Sequence, residues 1–178
     1  MAKQATRLNH FQEGIFSAIE RKVVAYQKQG REIFNLSVGT PDFHPPQQVM
    51  DVLSQESLVP ENYRYTLRDY PELRQAVADY YQRRYQAQVD PDTEVLAVHG
   101  TQEGMGHLGM ALCNPGDVVL LPNPGYPVFE AGAYFGEAQL EFYPMTRENR
   151  FLPQLDKIPA EIWARTKYIV TSYPSNPT

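Results

Sequence analysis

Residues 118–135 read VVLLPNPGYPVFEAGAYF. Four consecutive apolar residues, Val118 to Leu121, predict a short strand buried in a sheet. Two prolines and a glycine, Pro122, Pro124 and Gly125, then fix a rigid connection, and Val128 to Phe135 read as a helix. The connection holds Tyr126 just past the end of the strand. Open α/β sheets bind ligands in crevices outside the carboxyl ends of their strands. An aromatic ring placed there can stack on a planar ligand, or it can simply pack within a proline-rich loop.

Working outward, the same rhythm continues on both sides. Val95-Leu96-Ala97-Val98 reads as a strand and Gln102 to Leu112 as a helix. Beyond the opening stretch, Gln139 to Tyr143 reads as a strand and Ile169-Val170 as the last one. Alternating strands and helices predict α/β layers around a mostly parallel sheet. Toward the N-terminus, residues 13–29 space Ile15, Ile19, Val23 and Tyr26 along one helical face, and Gly30 supplies a stop. Ile33 to Val38 alternates as a short strand and runs into Gly39-Thr40-Pro41-Asp42. A short helix is expected from Pro46 to Leu53. Pro71 to Tyr85 reads as a helix with Pro71 in its first position, Glu72 at its positive end, and Leu73, Ala76, Val77 and Tyr80 on one face. The loop at Pro60-Glu61-Asn62 is the candidate boundary, separating residues 1–58 from 59–178.

The chain has 178 residues, 42% hydrophobic and 21% charged, enough to bury one ordinary core. Its net charge of −5 gives no electrostatic case for nucleic acid. With a single cysteine, Cys113, no internal disulfide can form, and a reducing compartment is expected. The N-terminus lacks an apolar signal core and no stretch reaches the length of a membrane span, so a cytoplasmic protein without membrane partners is expected. His10, His44, His99 and His107 show no metal-ligand spacing, and no metal site is expected. Neither a nucleophile elbow, a Walker loop nor a dinucleotide fingerprint is present.

Four stretches carry candidate chemistry. In Val98-His99-Gly100-Thr101-Gln102-Glu103-Gly104 a strand end, a glycine turn and a helix start follow one another. Free N–H groups and the helix dipole make such a start an anion site, with phosphate the obvious ligand; Thr101 as the N-cap of an ordinary turn is the alternative. Glu103 must point away from any phosphate there. Asn176, between Ser175 and Pro177, could donate its amide to a ligand oxygen or merely shape a turn. Gly39 could expose its N–H to a carboxylate, or sit in a plain loop after a strand. Tyr63, Arg64, Tyr65 and Arg68 are candidate phosphate contacts in a loop, or packing and solvated residues.

Taken in order, the motifs form a series: Gly39-Thr40-Pro41-Asp42-Phe43, a tyrosine before Pro71-Glu72-Leu73-Arg74, Gly100-Thr101-Gln102-Glu103-Gly104, Asn114-Pro115-Gly116-Asp117, Pro122-Asn123-Pro124-Gly125-Tyr126-Pro127 and Tyr173-Pro174-Ser175-Asn176-Pro177-Thr178. The series resembles the pyridoxal-phosphate-dependent aminotransferases of class I/II, fold type I, over nearly the whole chain. The resemblance implies a three-layer large domain with a mostly parallel central sheet, incomplete here, in residues 59–178. Residues 1–58 become an N-terminal segment of the small domain. It implies pyridoxal 5′-phosphate as cofactor, an amino acid and a 2-oxo acid as substrates, and a homodimer with a shared active site. Gly100, Thr101 and Gln102 would hold the cofactor phosphate, Tyr126 would stack on the pyridine ring, and Asn176 would bond its phenolic oxygen. Gly39 would meet the substrate carboxylate, and Tyr65 would reach the phosphate of a neighbouring subunit.

Two departures from the family pattern stand out. Asp69-Tyr70 occupies the place of a usual glycine, and the spacing from Tyr65 to Leu73 is a residue short, which makes Tyr63 a rival for the Tyr65 role. The family's Schiff-base lysine, its pyridine-facing aspartate and its carboxylate-binding arginine have no counterparts. None of Lys3, Lys22, Lys28, Lys157 and Lys167 sits in the serine-rich turn that precedes the family's lysine. The expectation is therefore the N-terminal part of an aminotransferase, inactive alone, with unpartnered sheet edges. A carbon–sulfur lyase or decarboxylase of the same fold, or a non-catalytic degenerate binding domain, are the alternatives.

Overall fold

The computed structural model describes every residue except 1, 2, 12, 38 and 40. It divides into two compact units, one of residues 13–97 and one of residues 1–12 with 98–178. The boundary expected near residue 58 falls inside the first unit, just before a 3-10 turn at Pro60–Tyr63.

The unit of residues 13–97 is helical. Helix α1 spans Ile15–Lys28 and ends where Gly30 takes φ +76°, a left-handed conformation that costs glycine little. Helix α2 spans Gln47–Glu56 with Pro46 as its N-cap. Helix α3 spans Pro71–Tyr85, with Pro71 at its first position as the sequence predicts, and ends on a left-handed Gln86. Arg74 of α3 donates from Nη1 to the Pro91 carbonyl at 3.1 Å and pairs with Asp92 at the same distance, tying the helix to the loop beyond it. No described residue of α1 or α2 is buried, and in α3 only Ala78 is.

Two strands read from the sequence are absent from this unit. The described residues 33–37 are irregular, and Val38 lies outside the described residues. Asn35 explains the difference locally: its Oδ1 accepts the Ser37 N–H at 3.0 Å and the Ser37 hydroxyl at 2.6 Å, a side-chain turn that competes with a ladder. Residues 95–98 are irregular too, and Leu96 is 80% exposed. A β-strand needs a neighbour to take its N–H and C=O groups. Here the Ala97 N–H goes instead to the Asp69 carboxylate at 2.8 Å.

The second unit carries the sheet. Helix α4 spans Thr101–Leu112, followed by strand β1 at Val118–Asn123, helix α5 at Pro127–Phe135, strand β2 at Gln139–Pro144, a 3-10 turn at Leu155–Lys157, helix α6 at Ala160–Arg165 and strand β3 at Thr166–Ile169. The strand order is β2-β1-β3, all parallel. β1 lies in the middle and is buried on both faces, which is why its sequence is apolar without alternation. Each of its four buried aliphatic side chains contributes roughly 1.5–3 kcal/mol.

Val119 and Leu121 face a core with Ala133, Ala138 and Val170, closed by Met105 of α4 and Phe129 of α5. On the other face, Leu120 and Tyr143 line a cavity of about 130 Å³ with Ile158 and Ile162. The two helices of the first face touch backbone to backbone. A Cβ at Gly109 would collide with the Gly132 carbonyl, so α4 and α5 can approach only because no side chain stands between them. The segment Thr6–His10 adds a 3-10 turn on α5. There His10 stacks on Tyr134 at 4.5 Å, Phe11 on Phe135 at 5.0 Å, and Arg7 pairs with Glu137 at 2.6 Å. Among the described residues, no helix is long and apolar enough to cross a membrane.

Candidate functional site

Parallel strands send their connections out at one edge, and β1 and β3 both do so toward the motif residues. After β1 the chain runs through a cis Asn123–Pro124 bond and Gly125 to Tyr126, which precedes α5. Gly125 lies so close to Pro122 that a Cβ there would stand 2.6 Å from the Pro122 carbonyl oxygen. After β3 the chain runs through Val170 to the turn Tyr173–Thr178, which carries Asn176 on an exposed bend with cis bonds before Pro174 and Pro177. Tyr126 and Asn176 therefore leave the same edge of the sheet.

The start of α4 joins them there. Gly100 takes φ +88° and ψ 145°, a backbone conformation that side chains rarely adopt, and so turns the chain into the helix. Among the described residues no carbonyl accepts from the backbone N–H of Thr101 or of Gln102. Two amides at the positive end of a twelve-residue helix are thus free to hold an anion. Thr101 makes no side-chain cap, so the N-cap alternative for its hydroxyl is not realised.

Glu103 behaves as an anion site requires. Its carboxylate turns back and accepts the His99 N–H at 2.6 Å, with the His99 ring nitrogen Nδ1 at 3.8 Å. This is the reach of a capping-box acid, from the third helical position to the residues before the helix. It leaves the Thr101 and Gln102 amides clear.

The bond that assembles the site is lateral. The side-chain amide of Gln102 donates to the Tyr126 hydroxyl at 3.1 Å, linking residues 24 positions apart. Phe129, one turn along α5, sets its ring 6.2 Å from that of Tyr126 at an interplanar angle of 60°. A half-buried aromatic ring thus stands beside two free amides. The donor set fits a ligand that carries both a phosphate and a planar ring.

The remaining sequence candidates belong to the other unit. Tyr65 is 91% exposed, whereas the Tyr63 hydroxyl donates to the Ser57 carbonyl at 2.6 Å. Gly39 is exposed, and its neighbours Val38 and Thr40 lie outside the described residues. Among the described residues no cluster of three or more His, Cys, Asp or Glu could hold a metal ion.

The family model "Aminotransferase class I and II" matches residues 31–178. An LL-diaminopimelate aminotransferase of Moorella thermoacetica is 39% identical over 99% of this chain and 45% of its own length. The enzyme of the same name from Aquifex aeolicus is 38% identical over 100% of this chain and 46% of its own. The apo-BacF structure from Bacillus subtilis superposes with a TM-score of 0.92 at 35% identity, over 100% of this chain and 46% of that one. The chain thus spans less than half the length of the relatives it matches.

Proposed function

Because the chain belongs to the class I and II aminotransferase family, we propose that it supplies the phosphate- and ring-binding part of an aminotransferase that moves an amino group from an amino acid to a 2-oxo acid. The cofactor in this reading is pyridoxal 5′-phosphate. When bound, it supplies the electron sink that makes the substrate's α-carbon reactive.

The observation that carries the reading is the Gln102–Tyr126 hydrogen bond, which joins the start of α4 to an aromatic ring just past β1. A turn that bound only an anion would have no use for the ring. The amides of Thr101 and Gln102 hold the phosphate, and Gly100 gives the turn its shape. Tyr126 lies against the pyridine face and fixes its tilt. Asn176 donates to the phenolic oxygen and so orients the ring in its plane. Gly39 offers its N–H to the substrate carboxylate. Tyr65, exposed and without an internal hydrogen-bond partner among the described residues, reaches the phosphate held by a second copy in a homodimer.

All of these are binding and orienting roles. None of the lysines Lys3, Lys22, Lys28, Lys157 and Lys167 is given the part of amine nucleophile. Residues 1–58 belong in this reading to the smaller domain and residues 59–178 to the cofactor-binding one, acting in the cytoplasm. The relatives' names favour an LL-diaminopimelate donor over other amino acids.

The test is equilibrium dialysis of the 178-residue chain against pyridoxamine 5′-phosphate, the amine form, which cannot condense with surface lysines. Saturable binding that inorganic phosphate displaces is expected. Binding that phosphate leaves untouched, or no saturable binding, overturns the reading. Assays with LL-diaminopimelate, aspartate and alanine as donors then bear on the substrate.

A further inference from the structure

Gln102 does two things with two parts of itself. Its backbone N–H is one of the free amides at the start of α4, while its side chain leaves that axis and donates to the Tyr126 hydroxyl at 3.1 Å. Nothing about a phosphate site requires the second contact. It belongs to the ring.

The freedom that Tyr126 retains shows what the contact achieves. The backbone is already set, with Gly125 packed on the Pro122 carbonyl and Pro127 opening α5. The ring can still move about χ1, which swings the whole side chain, and about χ2, which tilts its plane. The hydroxyl oxygen lies on the χ2 axis, so a hydrogen bond there leaves the tilt free but fixes where the ring lies. Phe129, at 6.2 Å and 60°, limits the tilt. Gln102 and Phe129 therefore restrain different torsions of one ring.

We propose that Gln102 is the positioning residue for Tyr126, coupling the phosphate-binding helix start to the ring that lies over the cofactor. This inference rests on the pyridoxal-phosphate reading. It adds a consequence that the reading does not contain: ring affinity and phosphate affinity separate at one residue. Losing the side-chain donor loosens the ring while the backbone amide still holds phosphate. An exposed side chain can be replaced without disturbing the core, so the separation is measurable.

The experiment uses the full chain, two probes and three variants. Pyridoxamine 5′-phosphate reports ring plus phosphate, and inorganic phosphate reports the amides alone. Gln102→Met keeps the length of the side chain and removes the donor; Tyr126→Phe keeps the ring and removes the hydroxyl; the third variant carries both. Each single change is expected to weaken pyridoxamine phosphate about three- to tenfold, the range of one hydrogen bond, with inorganic phosphate unchanged. The double variant should be no weaker than the worse single one, because both remove the same bond. Effects that multiply in the double variant, or wild-type binding by Gln102→Met, overturn the inference. So does equal affinity of the unsubstituted chain for both probes, which would leave the phosphate reading standing. Failure of the unsubstituted chain to bind either probe overturns the cofactor reading and the inference together.

Discussion

Tyr143 and Val170 are joined across the middle strand: the Tyr143 hydroxyl, on β2, donates to the Val170 carbonyl just past β3 at 2.5 Å. The Val170 N–H in turn goes to the Leu120 carbonyl of β1 at 2.9 Å. One residue is thereby tied to both other strands at the point where the chain leaves for Asn176. Tyr143 is 1% exposed, so water cannot replace its bond. Tyr143→Phe strands a buried carbonyl and is expected to cost about 1–3 kcal/mol. Urea denaturation measures it, and an unchanged midpoint would mean that the segment after β3 is anchored elsewhere.

The same phenol makes stability depend on alkaline pH. Burial, with Tyr173 as a smaller contribution, pushes its pKa up to about 12, while an unfolded tyrosine ionises near 10. Below pH 10 both states keep the proton and the contribution to stability is complete. Between pH 10 and 12 the unfolded chain loses the proton first, so stability falls by up to about 1.4 kcal/mol per unit for this group. Tyr168, raised to about 12 by burial and then by Cys113, acts in the same window. Burial also raises the Cys113 thiol, so urea midpoints should begin to decline near pH 9, where unfolded thiols ionise, and fall more steeply above 10. Tyr143→Phe should decline less steeply, and an equally steep fall would remove Tyr143 from the account.

What could be read from the sequence follows from what is local. β1 was legible because an uninterrupted apolar run has one economical explanation, and α3 because Pro71 and Glu72 mark its start. The residues at 33–38 and 95–98 have strand-like composition, but composition does not supply the neighbour a strand needs. Asn35 and Asp69 intervene with side-chain acceptors instead. Helix α6 escaped notice because six residues are too few to show a period.

The candidate site divides in the same way. Gly100 and the helix start at Thr101 were legible, since a glycine turn and a helix opening are neighbours in sequence. That Gln102 would touch Tyr126 was not. Their meeting depends on how closely α4 and α5 pack, which is decided by Gly109, Gly132 and Gly136, well away from either residue. A pattern of three glycines, two within the helices and one capping α5, carries no local signal until the helices are laid together.

That packing makes α4 respond oppositely to one substitution at two places. A Cβ at Gly106 meets nothing within 4 Å, so Gly106→Ala gains helix propensity without a clash. A gain of up to about 1 kcal/mol is expected. A Cβ at Gly109 meets the Gly132 carbonyl and the Ala133 Cα, all backbone, and Gly109→Ala must push the helices apart. A loss of roughly 1–3 kcal/mol is expected despite the better propensity. Thermal or urea unfolding of both variants settles it; equal shifts of the same sign would contradict the close seam.

Glu103 is placed where stability and anion binding pull in opposite directions. Its charge in the first turn of α4 favours the helix by about 0.3–1 kcal/mol, yet repels any phosphate held by the Thr101 and Gln102 amides. Glu103→Gln keeps an oxygen to accept the His99 N–H and removes the charge. Between exposed groups such repulsion is on the order of 1 kcal/mol, so inorganic phosphate should bind about two- to fivefold more tightly at low salt. The gain should shrink as added salt screens the charge, and the variant should unfold at slightly lower urea. Unchanged phosphate affinity at low salt would place the anion somewhere other than the start of α4. A gain that salt does not diminish would mean the substitution acts through the turn at His99–Gly100 and not through charge.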